Sequence, residues 1–222
     1  MSAQTEYWTR HFAQCADSGD IAMDSARSLM VSMYGFVLHL SGPAALDGTI
    51  LDAGCGAGLL SDAFAGLGAR VTGLDGRYVI EKNRTRSSNV SWVPADLEDE
   101  WSNLGRYDVV ICLESLQFVD VSVVLPKLWS HVANKGRLLF TMPNLDNWIN
   151  AEGHREHQGM FGGVRHHELN ALVRTSCAGY EKIDVFGLHL GTDQRIEAYD
   201  SARLHEIKSP SPYRFLVAAL KP

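Results

Sequence analysis

The chain lacks most of what would tie it to a membrane, a disulfide framework or a nucleic-acid backbone. Of its 222 residues only 4 are cysteine, and Cys15, Cys55, Cys112 and Cys177 form no C-x-x-C pair or zinc-type spacing. Cys55 in a glycine-rich turn and Cys112 in an apolar run therefore read as small reduced thiols of a cytosolic protein. No apolar run approaches the ~20 residues of a membrane-spanning helix, because the nearest ones are interrupted by Asp or Glu. The opening Met1-Ser2-Ala3-Gln4-Thr5-Glu6 shows no charged segment followed by an apolar core, so a secretory leader is not expected and the cytoplasm is. Excess positive charge is missing too. With 20 Lys+Arg against 26 Asp+Glu the net charge is −6, which disfavours nucleic acid as the main partner. What remains is an ordinary soluble composition, 45% hydrophobic and 21% charged, in a length that suits one domain with a sizeable core. No internal repeat or second domain stands out, so residues 1–222 read as a single unit whose oligomeric state is left open.

The organising stretch is Thr49-Ile50-Leu51-Asp52-Ala53-Gly54-Cys55-Gly56-Ala57-Gly58-Leu59-Leu60-Ser61. An apolar run, alternating glycines and a resumed helical pattern follow the order of a buried strand, a tight ligand loop and a helix N-terminus. A dinucleotide fingerprint wants G-x-G-x-x-G/A. Counting from Gly54, its third small position falls on Leu59, too large for close helix–strand packing; counting from Gly56, it falls on Ser61, a partial fit. The pattern present is D-x-G-x-G-x-G, with Asp52 in the lead.

This pattern resembles motif I of the class I S-adenosylmethionine (SAM) dependent methyltransferases, of the small-molecule type similar to the quinone-biosynthesis group. The resemblance implies that Asp52, Ala53, Gly54, Cys55, Gly56 and Gly58 surround the cofactor, and a leading carboxylate suits its cationic amino group. Arg70-Val71-Thr72-Gly73-Leu74-Asp75 reads as a second strand ending in an acid, followed by Gly76; Asp75 is expected to accept from ribose hydroxyls. After the short strand Asn89–Val93, Asp96 and Leu97 stand where the family meets adenine. Glu98 to Glu100 is expected to be a solvated loop, and Lys82, Arg84 and Arg86 a solvated helix face.

Tyr107-Asp108-Val109-Val110-Ile111-Cys112-Leu113-Glu114 is the clearest strand, apolar enough to be buried on both faces. Leu113 and Glu114 at its end are expected beside the cofactor. The family's E-x-L-E-H-V segment reads Glu114-Ser115-Leu116-Gln117-Phe118-Val119 here. Phe118 in place of His removes one polar group, and Gln117 and Phe118 become candidates to meet a planar acceptor. Further strands are expected at Arg137–Met142, Glu181–Leu188 and Tyr213–Leu220. Asn134-Lys135-Gly136 should stop the preceding helix, and Ser209-Pro210-Ser211-Pro212 should form a turn. The alternation, with what the resemblance implies, gives an expected α/β, doubly wound, Rossmann-like sheet of seven strands with a C-terminal antiparallel hairpin. Leu29, Met33, Phe36 and Val37 fall on one helical stripe, and the resemblance implies that residues 1–47 form an N-terminal helical cover, with Tyr7, Trp8, His11 and Phe12 as pocket candidates.

Residues 144–167 break the alternation and form a candidate substrate lid. Four of the chain's nine histidines crowd this region: His154, His157, His166 and His167. A general base for a hydroxyl acceptor is one reading, with His167 first and His154 second. Ordinary surface histidines are another. His154-x-x-His157 with His166, His167 and Glu168 has metal-binding elements but no recognised zinc spacing, so no metal is expected. The resemblance thus implies methyl transfer from SAM, leaving S-adenosylhomocysteine (SAH), to an O or N atom of a small molecule, with secondary metabolism as one setting. A nicotinamide-dependent oxidoreductase and a catalytically silent SAM-binding protein are the alternatives.

Overall fold

A computed structural model describes residues 3–4, 6–7, 27–86, 88–189, 195–200, 203–204 and 212–222. Helix α1 (Arg27–Ser41) and the short α2 (Ala44–Asp47) lead into β1 (Thr49–Ala53), α3 (Leu59–Leu67), β2 (Arg70–Asp75), α4 (Arg77–Arg86) and β3 (Val90–Pro94). Next come β4 (Tyr107–Cys112), a 3-10 turn at Leu116–Phe118, α5 (Val121–Ser130) and β5 (Val132–Pro143). The chain closes with α6 (Trp148–Glu156), α7 (His166–Ser176), β6 (Lys182–Leu188), β7 (Ile196–Tyr199) and β8 (Arg214–Leu220).

The strands form one sheet in the order β3-β2-β1-β4-β5-β8-β6-β7. From β3 to β5 all neighbours are parallel, whereas β8 runs antiparallel between β5 and β6. The strand order therefore reverses between β1 and β4, where an open α/β sheet leaves a crevice at the carboxyl ends of its strands. The pleat sends alternate residues to opposite faces. Leu51, Ala53, Val110, Cys112, Leu138 and Phe140 join one core with α5 and α7. Ile50, Val71, Val109, Ile111 and Leu139 join the other, covered by Met33 and Val37 of α1, Leu60 and Phe64 of α3 and Ile80 of α4. Burial on both faces is why the central strands read as unbroken apolar runs.

The seven expected strands are all present, and β7 adds an eighth at the edge. Its four residues are too short for alternation to register. Helix α3 stops at Gly68, which takes φ 107, as its sequence indicates. Two boundaries move. β5 starts at Val132 instead of Arg137, because Asn134-Lys135-Gly136 forms an irregularity inside the strand, with Lys135 at φ 61 and the register against β4 shifted. β4 ends at Cys112, and Glu114 turns away with φ 53. The Ser209–Ser211 turn and residues Trp8, His11, Phe12 and Cys15 lie outside the described residues, as does the side chain of Leu29.

Phe64, fully buried on α3, is the largest side chain pinning that helix to the sheet. Phe64→Ala should lower unfolding free energy by about 3–5 kcal/mol in urea titration, whereas Leu67→Ala on the exposed face should change it by less than about 1 kcal/mol.

Candidate active site

The glycine loop leaves β1 at the switch point, and Gly54, Gly56 and Gly58 all adopt left-handed conformations, with φ 73, 51 and 70. Gly54 has a second reason to be glycine: a Cβ there would sit 2.3 Å from Ser115 Oγ. The loop is tied to β2 by its backbone, since Gly54 N and Cys55 N both donate to Leu74 O. Asp75 completes the tie. Its Oδ2 accepts from Gly56 N at 2.8 Å and its Oδ1 from Gly76 N at 2.7 Å. Each oxygen retains a lone pair for a further donor. Burial raises the Asp75 carboxyl above the usual range, and the two amide bonds oppose that shift.

Asp52 lies beneath the loop with 4% of its surface exposed, and among the described residues its hydrogen-bond partner is Ser61, whose Oγ donates at 2.6 Å. Burial dominates its titration and moves the carboxyl to about 6; the Ser61 hydroxyl lowers it and the nearby Asp75 charge raises it again. Asp96 comes from the turn after β3. Its Oδ1 would stand 3.9 Å from a Cβ on Gly76, which brings it beside Asp75. Burial, then the charges of Asp99 and Glu98, raises its carboxyl too. Leu97 Cδ1 would stand 3.6 Å from a Cβ on Gly54, so it reaches the loop as well. Ala53 is fully buried, and Leu113 and Cys55 pack against the second core.

Sequence reasoning missed several supports. Asn83 of α4 is buried and donates to Gly56 O at 2.8 Å, although its helix reads as a solvated face. In the same helix Lys82 is exposed over the Tyr78 ring, but the Arg84 guanidinium reaches Trp92 O at 3.0 Å. Glu98 is half-buried, and its Oε1 accepts from Asp120 N, the residue that caps α5. Thr141, Asn144, Asn150 and Arg214 are buried polar residues at the same end of the sheet. Arg214 Nε donates to Glu114 Oε2 at 3.0 Å, and its Nη1 donates to Asn150 Oδ1. Asn150 Nδ2 donates in turn to Asn144 O at 3.0 Å, so α6 is docked through polar contacts. Tyr34 of α1 is half-buried; burial and then the Asp52 and Glu114 charges push its phenol up to about 12, so it stays a hydrogen-bond donor.

The two histidines expected as bases occupy different places. His167 has 56% of its side chain exposed, and its contacts are Glu168 Oε1 at 4.0 Å and the His166 ring. His154 is half-buried in α6, and its Nδ1 donates to Phe161 O at 2.7 Å. Asp146 accepts from His166 N at 2.9 Å and from Arg165 Nη1 at 3.0 Å, so this carboxylate joins the two ends of the 144–167 segment. Its donor atoms also cluster with those of His166 and His167. Phe118 and Phe161 meet edge to face with centroids 6.3 Å apart. Of the N-terminal aromatics, Tyr7 contacts His157 through its hydroxyl at 3.0 Å.

Fold and site thus define an α/β protein with three carboxylates gathered around a glycine loop at the switch point of its sheet. A family model described as "Methyltransferase domain" matches residues 26–177, and the chain belongs to that family. The ubiquinone biosynthesis O-methyltransferase of Serratia proteamaculans (strain 568) is 33% identical over 111 residues, 47% of this chain and 46% of that one. The corresponding protein of Proteus mirabilis (strain HI4320) is 36% identical over 102 residues, 43% of this chain and 42% of that one. The matches therefore span less than half the length of these curated relatives. Among solved structures, the plantazolicin methyltransferase BpumL, in complex with a monoazolic desmethylPZN analogue and SAH, has a TM-score of 0.68 at 12% identity, covering 98% of this chain and 93% of that one. Magnesium protoporphyrin IX methyltransferase (ChlM) from Synechocystis PCC 6803 with bound SAH has a TM-score of 0.63 at 17% identity, covering 91% and 88%. These likenesses share the fold expected from the sequence.

A buried carboxyl raised from 3.8 to about 6 makes apo-protein stability depend on pH. Its contribution is fully present below the unfolded value and is lost as pH rises through the folded one. At pH 7 Asp52→Asn should therefore stabilise the apo-protein by on the order of 2 kcal/mol and flatten its urea midpoint between pH 4 and 7.

Proposed function

We propose that the protein transfers a methyl group from SAM to an oxygen or nitrogen of a small-molecule acceptor. The observation that carries this reading is the Asp75 carboxylate bonded to Gly56 N and Gly76 N, with Asp52 below the loop and Asp96 beside it. Asp52 is a buried carboxylate with Ser61 as its partner and no cation in contact among the described residues, so a ligand's ammonium fits there. Asp75 has acceptor capacity left for paired ribose hydroxyls, and Asp96 with the Leu97 backbone is set to meet the adenine edge. Ala53, Cys55, Gly58, Leu113 and Glu114 complete the surround in the same reading. When bound, SAM supplies a methyl carbon already activated by the positive charge on its sulfur. The protein's task is to align the acceptor with that carbon and keep the site dry.

Residues 144–167 act as the lid over the acceptor and residues 1–47 as the cover; the Tyr7–His157 and Gln4–Gln117 contacts support both assignments. Among the described residues no helix is long and apolar enough to cross a membrane. A cytoplasmic setting and a place in secondary metabolism belong to the same proposal, supported by the free thiols and the small-molecule relatives. Of the two histidines, His154 is the better placed as a base, because donation from its Nδ1 leaves Nε2 as the acceptor nitrogen. His167→Ala is expected to leave turnover within about twofold of the parent, since its ring is solvated and lies against Glu168. A large loss of turnover would return that residue to the chemistry.

Calorimetry with SAH and with NADH tests the donor assignment. SAH should bind and NADH should not, and Asp75→Asn should weaken SAH by about tenfold or more. NADH heat without SAH heat would favour the oxidoreductase. SAH heat without methyl release across a panel of phenols, carboxylates and amines would favour a silent binding protein.

A further inference from the structure

Glu114 is the best-clamped strained residue in the crevice. It takes φ 53, a left-handed conformation that costs a glutamate energy, and it is held there from both sides. Its N–H donates to the buried Thr141 Oγ1 at 2.7 Å, and its carbonyl accepts from the buried Gln117 Nε2 at 2.8 Å. The next residue, Ser115, donates from Oγ to Gly54 O at 3.2 Å, which places this turn against the glycine loop. The side chain is fixed at one oxygen only. Oε2 accepts from Arg214 Nε, while Oε1 has no partner among the described residues. Arg214 is 4% exposed, yet Glu114 keeps 29% of its side chain open. The turn thus carries strain beside the glycine loop and holds a half-fixed carboxylate there, with its Arg214 partner 5.9 Å from the Phe161 ring centroid.

We propose that Glu114 is the carboxylate that meets the acceptor's nucleophilic atom and takes its proton, with Arg214 as its positioning residue. The proposal rests on the methyl-transfer reading above. The acceptor's O–H or N–H bond breaks and its proton goes to Glu114 Oε1. The acceptor forms a bond to the methyl carbon as the carbon–sulfur bond breaks, and that electron pair stays on sulfur. Glu114 then returns the proton to solvent. Such a site selects acceptors that carry a hydrogen-bond donor at the methylated atom and disfavours carboxylate acceptors, which would meet Glu114 charge to charge.

Sinefungin tests this without an identified acceptor, because it carries CH–NH3+ where SAM carries S+–CH3 and so puts an ammonium at the position that faces the acceptor. By calorimetry at pH 7.5 the parent protein should bind sinefungin about tenfold or more tightly than SAH, since a carboxylate faces that ammonium. Glu114→Gln should reduce the preference, read as the ratio of the two affinities within the same variant, to below about threefold. If loss of its partner leaves Arg214 too costly to bury and the single variant does not fold by circular dichroism, E114Q/R214M removes both charges and should show the same loss. A preference that survives in the folded variant, or a parent that binds SAH without preferring sinefungin, overturns the assignment of Glu114. A parent that binds neither molecule overturns the methyl-donor reading instead.

Discussion

The site depends on one carboxylate holding two backbone amides. Three left-handed glycines at alternate positions give the loop after β1 many alternative conformations, and the Asp75 bonds to Gly56 N and Gly76 N select one of them. Such charge-assisted bonds are worth about 1.5–3 kcal/mol each, enough to offset much of the entropy of ordering the loop. Asn83 works from the opposite side by donating to Gly56 O, so this peptide is gripped at both its N–H and its carbonyl. The parallel pairing of β1 with β2 supplies the geometry, because it sets Asp52 across from Gly73 and carries Asp75 level with the loop.

The same arrangement explains why the crevice is costly to the empty protein. Asp52, Asp75 and Asp96 are all raised above the usual carboxylate range by burial, so each opposes folding when ionised. Asp75 has two amide N–H partners, but Asp52, with the Ser61 hydroxyl as its side-chain partner, is buried acid that is hard to justify as packing. It is what a site needs if a cationic ligand provides the missing charge, since the energy spent in burying acid returns as affinity when the cation arrives.

What the sequence made legible follows from how local each signal is. Central strands were visible because burial on both faces leaves only apolar residues, and Asp52, Asp75 and Asp96 because each closes a strand or its turn. The residues that support them were not. Arg214 meets Glu114 across 100 positions, and Thr141 meets it across 27, so no window of sequence joins them. Asn83 sits among Lys82 and Arg84 in a helix of low hydrophobicity, where one inward polar residue carries no periodic mark. Gly136 looks like a helix stop, yet a Cβ there would lie 2.8 Å from Asp108 O, so the neighbouring strand decides its role. The four histidines illustrate the converse. Their clustering is conspicuous in sequence, while His154 and His166 spend ring or backbone bonds on holding the segment's own ends together.

How α6 is attached bears on what it does. Trp148 and Ile149 face solvent, and the helix is anchored by Asn150, whose amide is bonded to Asn144 O, Tyr213 O and Arg214. A helix fixed by buried apolar surface would lose that surface's transfer energy on every opening. Hydrogen bonds can be exchanged for water at a net cost of about 1 kcal/mol each, so a polar dock suits an element that opens and closes. Arg214 belongs to that dock and also bonds Glu114, so one guanidinium joins the helix to the carboxylate. Were α6 to lift, the guanidinium would lose its Asn150 partner, and Glu114 would keep its backbone bonds to Thr141 and Gln117.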